Sequence, residues 1–521
     1  MQSQSKGISS PEDRQKAITA DMLDLLIIGG GIVGSGIARD AAMRGMRVGL
    51  VERHDFAYGT SSRSSRLLHG GLRYLAQGRI GLVHEASVEK KIIHQIAPHI
   101  SDPLPFIFPT YRGEKDWVLW QLKIGVKIYD LLCGGRNLGK STWLHKNEVL
   151  KNVPALSPEG LQGAVRYYDG FTNDARLTLD TLRSAVKRGA VVLNYCRYEG
   201  ATRDEAASVW KCDVQDALAD KPFQILARSV VNATGPWADG LPHSQVKLRV
   251  TKGVHLVVER ARVPVPDTVV MTEGKRILFA IPWGERTIIG TTDTDYEGSP
   301  EDVSANAEDI RYVLKITNQY FPNAKLTEPD LISAWAGLRP LVADPHGRPS
   351  DVSRSHEIHN PAPGWWDVAG GKLTTYRLMA EQTVDQVVKS LKSLPGPHSP
   401  TEACRTAHEP LLPPEETAGL SSILPPEFSR RLVEHFVTNE WAVHLDDVMV
   451  RRTKWHYYHR DAAAKAEIVA GWMAGLLGWA AIQRETEITR YHELADCLPY
   501  QKASGTTEIL RRHDQQRHSV V

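Results

Sequence analysis

Three glycines, Gly29, Gly31 and Gly34, have the spacing G-x-G-x-x-G. They follow an apolar run at residues 25–28 and precede a proline-free run at residues 32–44, which predicts a strand, a turn and a helix. In such a unit the glycines permit a tight turn, close approach of a pyrophosphate to the backbone, and close packing of helix on strand. The helix N-terminus adds N–H groups that attract phosphate. The pattern therefore predicts a dinucleotide-binding site.

An acidic residue stands where a dinucleotide-binding unit contacts ribose. Glu52 follows a second predicted strand at residues 47–51 and lies 23 residues after Gly29. A carboxylate at this position can accept hydrogen bonds from both ribose hydroxyls and would repel a 2′-phosphate. The motif alone leaves open whether the dinucleotide is NAD or FAD.

Further segments carry a resemblance to a known family. They are residues 60–75, 231–238, 282–283, 288–293, 337–341 and 370–377. Together they resemble the FAD-dependent glycerol-3-phosphate dehydrogenases, which belong to the larger group of amino-acid-oxidase-like flavoproteins. The resemblance runs from about Leu23 to Met379 and continues more weakly beyond it.

The resemblance implies noncovalent FAD, oxidation of sn-glycerol 3-phosphate to dihydroxyacetone phosphate, and delivery of electrons to a membrane quinone. It also implies a cytoplasmic protein bound peripherally to the inner face of the cytoplasmic membrane, with a second copy of the chain as a candidate partner. A soluble oxidase that reduces O2 to hydrogen peroxide is the first alternative. A flavin-bound scaffold without turnover is the second, and the joint presence of Arg73, His255, Arg339 and Lys372 argues against it.

The cofactor-binding residues carried over by the resemblance join the glycine motif to three later segments. They are Gly29, Gly31, Gly34, Glu52, Thr60, Ser61, Ser62, Ala233, Thr234, Gly235, Gly370, Gly371, Lys372, Leu373 and Thr374. Small residues at 233–235 let the backbone approach a cofactor. The loop at residues 370–374 resembles the one whose N–H groups face the N1/O2 edge of flavin, where a helix dipole and a lysine would stabilise negative charge.

A phosphorylated three-carbon substrate is a dianion, so its pocket needs fixed cations. The resemblance implies Arg73, Arg339, Arg354 and Lys372 in this role, with Tyr74 and Thr375 as hydroxyl donors. Without the resemblance, a solvated surface residue is the simpler interpretation of any single arginine. No metal site is expected, because no cysteine or histidine cluster has ligand spacing.

Oxidation of a secondary alcohol requires a base for the hydroxyl proton and a group that stabilises the developing alkoxide. His255 lies in a strand-like run where the family carries a histidine near the substrate hydroxyl, and Arg339 is the candidate for the alkoxide. An imidazole titrates near neutral pH, which suits proton abstraction. A satisfied core histidine is the alternative.

The order of the predicted elements favours an α/β fold, in which a Rossmann-like FAD-binding domain is interleaved with a β-sheet substrate domain and followed by an α-helical C-terminal domain. The expected division is a polar N-terminal arm (1–21), an oxidoreductase domain (22–395) and the helical domain (396–521). Within the second, the FAD lobe takes about 22–95, 160–250 and 335–390, and the substrate lobe about 96–159 and 251–334.

Charge and cysteine content limit which partners and which cellular compartment are expected. Lys plus Arg number 63 and Asp plus Glu 61, a net charge of +2, which argues against nucleic-acid binding through bulk charge. Five widely spaced cysteines fit a reducing compartment, and neither a signal peptide nor a spanning helix is expected.

Two segments are candidates for contact with a membrane surface. Residues 115–132 place apolar side chains at helical spacing beside two lysines, namely Trp117, Trp120, Ile124, Ile128 and Leu131 beside Lys123 and Lys127. This pattern is typical of an interfacial helix and equally of a helix that faces the core. Residues 451–458 form a second basic and aromatic segment, for which a solvated helix face is the preferred interpretation.

Overall fold

Two β-sheets with helices on their faces, followed by a helical C-terminal region, make up the protein in the computed structural model. It describes residues 10–76, 78–113, 117–132, 137–342, 356–393 and 401–495, without the side chains of Arg73, Ala76 and Ala495. The predicted substrate residue Arg354 and the first residues of the predicted helix at 115–132 lie outside the described residues.

The helices are α1 (Pro11–Ala20), α2 (Ile32–Met43), α3 (Leu72–Ala76), α4 (Ile80–Ile96), α5 (Leu119–Leu132), α6 (Lys146–Asn152), α7 (Asp174–Lys187), α8 (Ala307–Tyr320), α9 (Tyr376–Leu391), α10 (Arg430–Asn439), α11 (Trp455–Tyr458), α12 (Ala462–Leu477) and α13 (Ala481–Ala495). The strands are β1 (Leu23–Ile28), β2 (Val48–Val51), β3 (Leu67–Leu68), β4 (Ser101–Tyr111), β5 (Thr142–His145), β6 (Leu161–Thr172), β7 (Val191–Leu193), β8 (Cys196–Asp204), β9 (Val209–Asp216), β10 (Lys221–Asn232), β11 (Leu248–Glu259), β12 (Thr268–Glu273), β13 (Arg276–Trp283), β14 (Arg286–Gly290), β15 (Thr294–Asp295), β16 (Leu331–Val342), β17 (His356–Ala362) and β18 (Trp365–Gly370).

The first sheet has the order β17-β18-β10-β1-β2-β7, in which the five strands from β18 to β7 run parallel. Every residue of β1 is buried, as expected for a parallel strand covered on both faces. Ile28 pairs with both Val51 and Asn232, so the carboxyl ends of β1, β2 and β10 meet at one edge. Helices α2 and α9 follow at that edge and pack together. The predicted α/β fold class with its Rossmann-like half is confirmed.

The second sheet has the order β15-β11-β14-β13-β12-β4-β6-β3, with β16 paired to β11 and β5 to β6. Strands β11 and β16 pair antiparallel along their whole length, which places His255 opposite Trp335 and Thr251 opposite Arg339. The two candidate catalytic residues therefore lie on neighbouring strands.

Three strands lie elsewhere than the expected lobe boundaries imply. Strands β3, β6 and β16 belong to the second sheet, although residues 22–95, 160–250 and 335–390 were assigned to the FAD lobe. Each pairs with a strand that is distant in sequence, and a strand's own residues do not reveal such pairing. The division into domains otherwise stays a prediction.

The N-terminal segment contains a helix. Residues 11–20 form α1, whose Ile18 is fully buried beside Leu23 of β1, and Arg14 donates to the carbonyl of Val192 in β7 at 2.7 Å. The described part of the expected polar arm is thus docked on the first sheet, because Ile18 packs against the sheet and Arg14 forms a hydrogen bond to it.

Helix α5 has two unlike apolar faces. Leu122, Val126 and Tyr129 are buried, whereas the other apolar side chains of the predicted stripe point outward, with exposed fractions of 61% for Trp120, 52% for Ile124, 40% for Ile128 and 76% for Leu131. Trp117, predicted to be in the same stripe, is buried instead, and its Nε1 donates to the Gly274 carbonyl at 2.9 Å. Trp117 precedes the helix, so helical spacing does not apply to it.

The helical C-terminal region has its own apolar core, formed by α10, α12 and neighbouring segments. Gly478, at φ 70°, ends α12, so a run from Asp461 to Ile482 divides into two helices. Before this region, residues 401–414 pack on α2, where the Arg39 guanidinium donates to the Glu409 carbonyl at 2.7 Å.

The basic segment at residues 451–458 is buried rather than solvated. Arg452, Lys454 and Trp455 each have an exposed fraction of 0%, and Arg452 pairs with the equally buried Asp55 of the first sheet's loops. The expectation of a solvated helix face is wrong, because carboxylates far away in the sequence neutralise these cations. Among the described residues, no helix combines the length and apolar character needed to cross a bilayer.

Candidate active site

A cavity of about 500 Å³ begins at the carboxyl edge of the first sheet and reaches β11 and β16 of the second. Most of the predicted residues line it, namely Gly29, Gly31, Glu52, Thr60, Ser61, Ala233, Thr234, Gly235, His255, Arg339, Gly370, Gly371, Lys372, Leu373 and Thr374. The cavity therefore brings most of the predicted cofactor residues together with His255, Arg339 and Lys372. The predicted substrate residue Arg354 and the side chain of Arg73 lie outside the described part of the structure.

The glycine motif forms the turn between β1 and α2. Gly29 has φ 107°, and a Cβ there would lie 2.6 Å from the Ala233 carbonyl oxygen of the neighbouring strand end. Gly34 does not line the cavity, but a Cβ there would lie 2.0 Å from the Gly29 oxygen. Its role is the close helix–strand packing that the motif predicts. The N–H of Ile32, at the start of α2, donates to the Ser61 hydroxyl at 2.9 Å.

Glu52 lies at the end of β2 with both carboxylate oxygens engaged. Its Oε2 accepts from the N–H of Gly30 at 2.7 Å, and its Oε1 accepts from the N–H of His54 at 2.8 Å. Burial raises the pKa of Glu52, and the two N–H groups oppose that shift by stabilising the charged form. A carboxylate oriented in this way keeps acceptor capacity for ribose hydroxyls.

Residues 60–66, hereafter the serine loop, join the two sheets. Thr60 donates to the Leu338 carbonyl of β16 at 2.6 Å, and the Ser64 hydroxyl and N–H both donate to Asp174 Oδ2, at 2.8 and 2.9 Å. Ser62, predicted as a cofactor residue, does not line the cavity and is only 2% exposed. Its carbonyl instead accepts from Lys454 Nζ at 2.8 Å.

His255 projects from the middle of β11 and is 2% exposed. Its Nε2 lies 2.8 Å from the Ser65 hydroxyl, and its ring stacks on Trp335 with centroids 5.1 Å apart. Burial, then the nearby cations Arg339 and Arg66, lower the pKa of His255 to about 3. The imidazole is thus neutral at physiological pH. Its pKa lies well below the near-neutral value expected from the sequence.

Arg339 projects from β16 beside His255 and is held by residues 291–293. Its Nη2 donates to the Thr291 hydroxyl at 3.2 Å and to the Thr292 carbonyl at 3.3 Å, and its Nη1 lies 3.2 Å from Asp293 Oδ1. Several bonds fix the guanidinium plane at the cavity wall, which suits a fixed cation facing an anionic group.

The loop at residues 370–374 follows β18 at the same carboxyl edge as the glycine motif and lines the cavity. Lys372 Nζ lies 4.1 Å from the ring centroid of Tyr74, and the Thr374 hydroxyl accepts from the N–H of His69 at 3.0 Å. Tyr74 and Thr375, both predicted substrate donors, are 4% exposed and do not line the cavity. Both contact the loop instead, Tyr74 through Lys372 Nζ and Thr375 through a hydroxyl that donates to the Lys372 carbonyl at 3.3 Å.

Sequence reasoning missed three groups around His255. Ser65 bonds its Nε2, Trp335 stacks on its ring, and Lys454 holds the serine loop from the C-terminal region. The run at residues 60–75 contains Ser65, so the motif itself was a usable signal. Trp335 and Lys454 become neighbours only through strand pairing and docking, for which the sequence offers no local signal.

Comparisons with known proteins identify the family. Residues 24–385 match the family model for FAD dependent oxidoreductases. An aerobic glycerol-3-phosphate dehydrogenase of Staphylococcus aureus (strain MRSA252) is 41% identical over 388 residues, covering 73% of this chain and 70% of that protein, and its counterpart in strain USA300 matches equally.

Two solved structures are similar in fold. The glycerol-3-phosphate dehydrogenase of Bacillus halodurans, crystallised with FAD, superposes with a TM-score of 0.72 at 29% identity, covering 94% of this chain and 98% of that one. An L-alpha-glycerophosphate oxidase of Mycoplasma pneumoniae with FAD bound shares the fold, with a TM-score of 0.59 at 18% identity, covering 75% of this chain and 99% of that one.

The residues present fit FAD. Bare glycine backbone at the start of α2 suits a pyrophosphate, Glu52 at the end of β2 suits a ribose, and one cavity connects both to His255 and Arg339. The family match over residues 24–385 and the 41% identity to a relative therefore show that the chain belongs to the FAD-dependent oxidoreductases and, among them, to the family of the aerobic glycerol-3-phosphate dehydrogenases.

Proposed function

We propose that this protein oxidises sn-glycerol 3-phosphate to dihydroxyacetone phosphate with bound FAD and passes the electrons to a membrane quinone. The observation that carries the proposal is the pairing of His255 and Arg339 on neighbouring strands, both facing the cavity that the glycine motif and Glu52 enter from the other side. The names of the relatives supply the substrate, and the cavity supplies groups that suit it.

Bound FAD supplies an acceptor for the hydride from C2 of the substrate. The protein's own task is to hold the dianion and to take the hydroxyl proton. Arg339 and Lys372 provide fixed positive charge at the cavity wall, which attracts the phosphate and stabilises the developing alkoxide. The Arg339 guanidinium is already oriented, because residues 291–293 hold it.

His255 is the base in this proposal. Nδ1 is buried and has no hydrogen-bond partner among the described residues, whereas Nε2 contacts the Ser65 hydroxyl, and Ser65 lines the cavity. With the lone pair on Nε2, the neutral imidazole can take the Ser65 hydroxyl proton as that hydroxyl takes the proton of the substrate. A bound phosphate dianion would offset the nearby cations and so favour the protonated form.

The anaerobic half-reaction tests this function. Purified holoprotein is mixed with sn-glycerol 3-phosphate, with glycerol, or with 1,3-propanediol monophosphate, and the oxidised-flavin absorbance is followed. We expect bleaching by sn-glycerol 3-phosphate alone, since glycerol lacks the phosphate and the propanediol ester lacks the secondary hydroxyl. Equal bleaching by glycerol, or none by sn-glycerol 3-phosphate, would refute the proposal.

The outward face of α5 supports a membrane acceptor. Four exposed apolar side chains lie along it, and Trp143 beside it is 52% exposed, with Lys123 Nζ 5.5 Å from its ring centroid. A helix with an exposed tryptophan and adjacent lysines suits the headgroup boundary of a bilayer. We propose peripheral attachment at the inner face of the cytoplasmic membrane through this face. Quinone reduction measured against peroxide yield in air separates this acceptor from O2.

A further inference from the structure

A buried lysine of the C-terminal helical region reaches the active site. Lys454 precedes α11, is 0% exposed, and has φ 60°, a left-handed conformation that lysine rarely adopts. Its Nζ donates to the Ser62 carbonyl at 2.8 Å and lies 3.1 Å from Asp174 Oδ1. Both partners belong to the oxidoreductase part of the chain, so the lysine bridges the two regions.

Asp174 passes this anchorage on to the serine loop. It is 0% exposed, and its Oδ2 accepts from both the hydroxyl and the N–H of Ser64. The Ser64 hydroxyl in turn accepts from the N–H of Arg66 at 2.9 Å. Burial alone would raise the pKa of Asp174, but Lys454 and Arg66, with the Ser64 bonds, lower it, so the carboxylate stays charged.

Ser65 lies between these two anchored residues, and its hydroxyl is the partner of His255 Nε2. The same C-terminal segment also supports the other side of the imidazole, because the Tyr457 ring lies 5.1 Å from Trp335 and the Tyr457 carbonyl accepts from Ser333 at 2.7 Å. The two groups that orient His255, Ser65 and Trp335, are thus both held in place by residues 454–457.

We propose that Lys454 is a positioning residue for the oxidation: by fixing Ser62 and Asp174 it holds the serine loop so that Ser65 orients His255. The C-terminal helical region is in this respect a part of the active site. This inference rests on the proposed function for the role of His255, whereas the anchorage of the loop can be tested independently of turnover.

The first test measures the loop directly. In the full-length holoprotein, amide hydrogen exchange is followed in peptides covering residues 60–66 for wild type, Lys454→Met and the control Lys187→Met, whose exposed lysine pairs with Glu416 of the C-terminal region. We expect exchange at Ser64 and Arg66 to rise at least about 10-fold in Lys454→Met and to stay unchanged in the control. Faster exchange confined to residues 451–458 would show a purely local role and overturn the proposal.

The second test is a double-mutant cycle on the anaerobic rate of flavin reduction. Lys454→Met should lower this rate about 10-fold in the wild-type background and less than about 2-fold in the His255→Ala background, because both changes disable the same group. Equal effects in the two backgrounds would overturn the proposal.

Ser64→Ala provides a second variant should Lys454→Met fail to fold. It removes the hydroxyl bond of Ser64 to Asp174 and the acceptor of the Arg66 N–H, leaves the Ser64 N–H on Asp174, and does not change the C-terminal region. It should reproduce the faster exchange at Arg66 and the lowered rate. Normal exchange and rate in Ser64→Ala would overturn the inference. If wild-type flavin is not reduced by sn-glycerol 3-phosphate at all, the proposed function fails, and the exchange result still judges the anchorage.

Discussion

The hydroxyl of Ser65 lies 2.8 Å from Nε2 of His255, and this contact joins residues 190 positions apart. Ser65 belongs to the loop that leaves the first sheet, and His255 belongs to the middle of a strand in the second. Because Trp335 also stacks on the imidazole ring, two contacts hold the ring in one orientation where the sheets meet. The candidate active site is therefore formed where the two sheets meet.

Replacing Arg339 with alanine should lower kcat/KM by about 10²-fold or more while the flavin content stays normal. The guanidinium is a fixed charge held by Thr291 and Thr292, and its stabilisation is greatest where the alkoxide develops. Steady-state kinetics with an artificial acceptor measure the loss. Arg249→Ala is the matched control, because Arg249 lies on the adjacent strand and pairs with exposed Asp295. Near-normal kcat/KM in Arg339→Ala would remove this residue from the proposed mechanism.

The pH profile should show no limb from His255 between about pH 5 and pH 8. Burial and the cations Arg339 and Arg66 lower its pKa to about 3, so kcat/KM, which reports the substrate-free protein, is measured entirely with neutral imidazole. The second ionisation of the substrate phosphate, near about pH 6, gives a limb that wild type and His255→Ala share. His255→Ala should lower kcat across the range. An additional limb near pH 6.5, present in wild type and lost in His255→Ala, would contradict the lowered pKa.

The same lowered pKa predicts a loss of folding stability in acid. Unfolded His255 takes up a proton below its ordinary value of 6.5, whereas the folded protein resists protonation until about pH 3. The contribution of neutral His255 to the free energy of unfolding is thus fully present above about pH 6.5. It falls as the pH drops towards 3, by up to about 1.4 kcal/mol per pH unit. Melting temperatures at several pH values should fall less steeply in His255→Gln than in wild type. Identical slopes would assign the acid sensitivity to other groups.

Glu52→Gln should weaken FAD binding by about 10-fold. An amide can accept hydrogen bonds only through its oxygen, so the N–H of either Gly30 or His54 would face the NH2 group, and the charge offered to ribose is lost. Flavin fluorescence titration of the apoprotein gives the dissociation constant. Glu357→Gln, on an exposed strand of the same sheet, serves as the control. Unchanged affinity would mean that Glu52 acts only within the β2 turn.

The triple substitution Trp120→Ser, Ile124→Ser and Ile128→Ser should reduce binding to anionic vesicles by at least about 10-fold. These side chains are 61%, 52% and 40% exposed, so their removal costs the folded protein little and removes apolar area available to the bilayer. Vesicle co-sedimentation measures binding, and activity with a soluble acceptor should be unchanged. Leu477→Ser with Ile482→Ser, exposed elsewhere on the surface, is the control. Equal loss in both variants would indicate nonspecific adhesion.

Several site features could be predicted from sequence because they depend on neighbours along the chain. The turn at Gly29, the helix after it and the carboxylate at Glu52 all belong to one strand–turn–helix–strand unit, and the structure has each in place. The stripe on α5 followed from helical periodicity in the same way. Trp117 was the exception, since it lies before the helix starts.

Residues whose environment comes from distant segments could not be predicted. The cations of residues 451–458 were expected in solvent, yet Arg452 pairs with Asp55 and Lys454 with Asp174, each without exposure. Likewise, the residues around His255 in its own strand do not predict a shifted pKa. The pKa is lowered by burial and by Arg339 and Arg66, which folding brings near.

The amino-acid sequence by itself predicted a strand–turn–helix unit suited to a dinucleotide at the turn after β1, because glycine geometry and strand and helix propensities act over a few neighbouring residues. The tertiary structure alone decided which charges are buried, which imidazole nitrogen is engaged, and that the C-terminal region backs the active site. Those outcomes depend on desolvation and Coulomb interactions between groups brought together by folding, and both vary with spatial distance, which local sequence patterns do not encode.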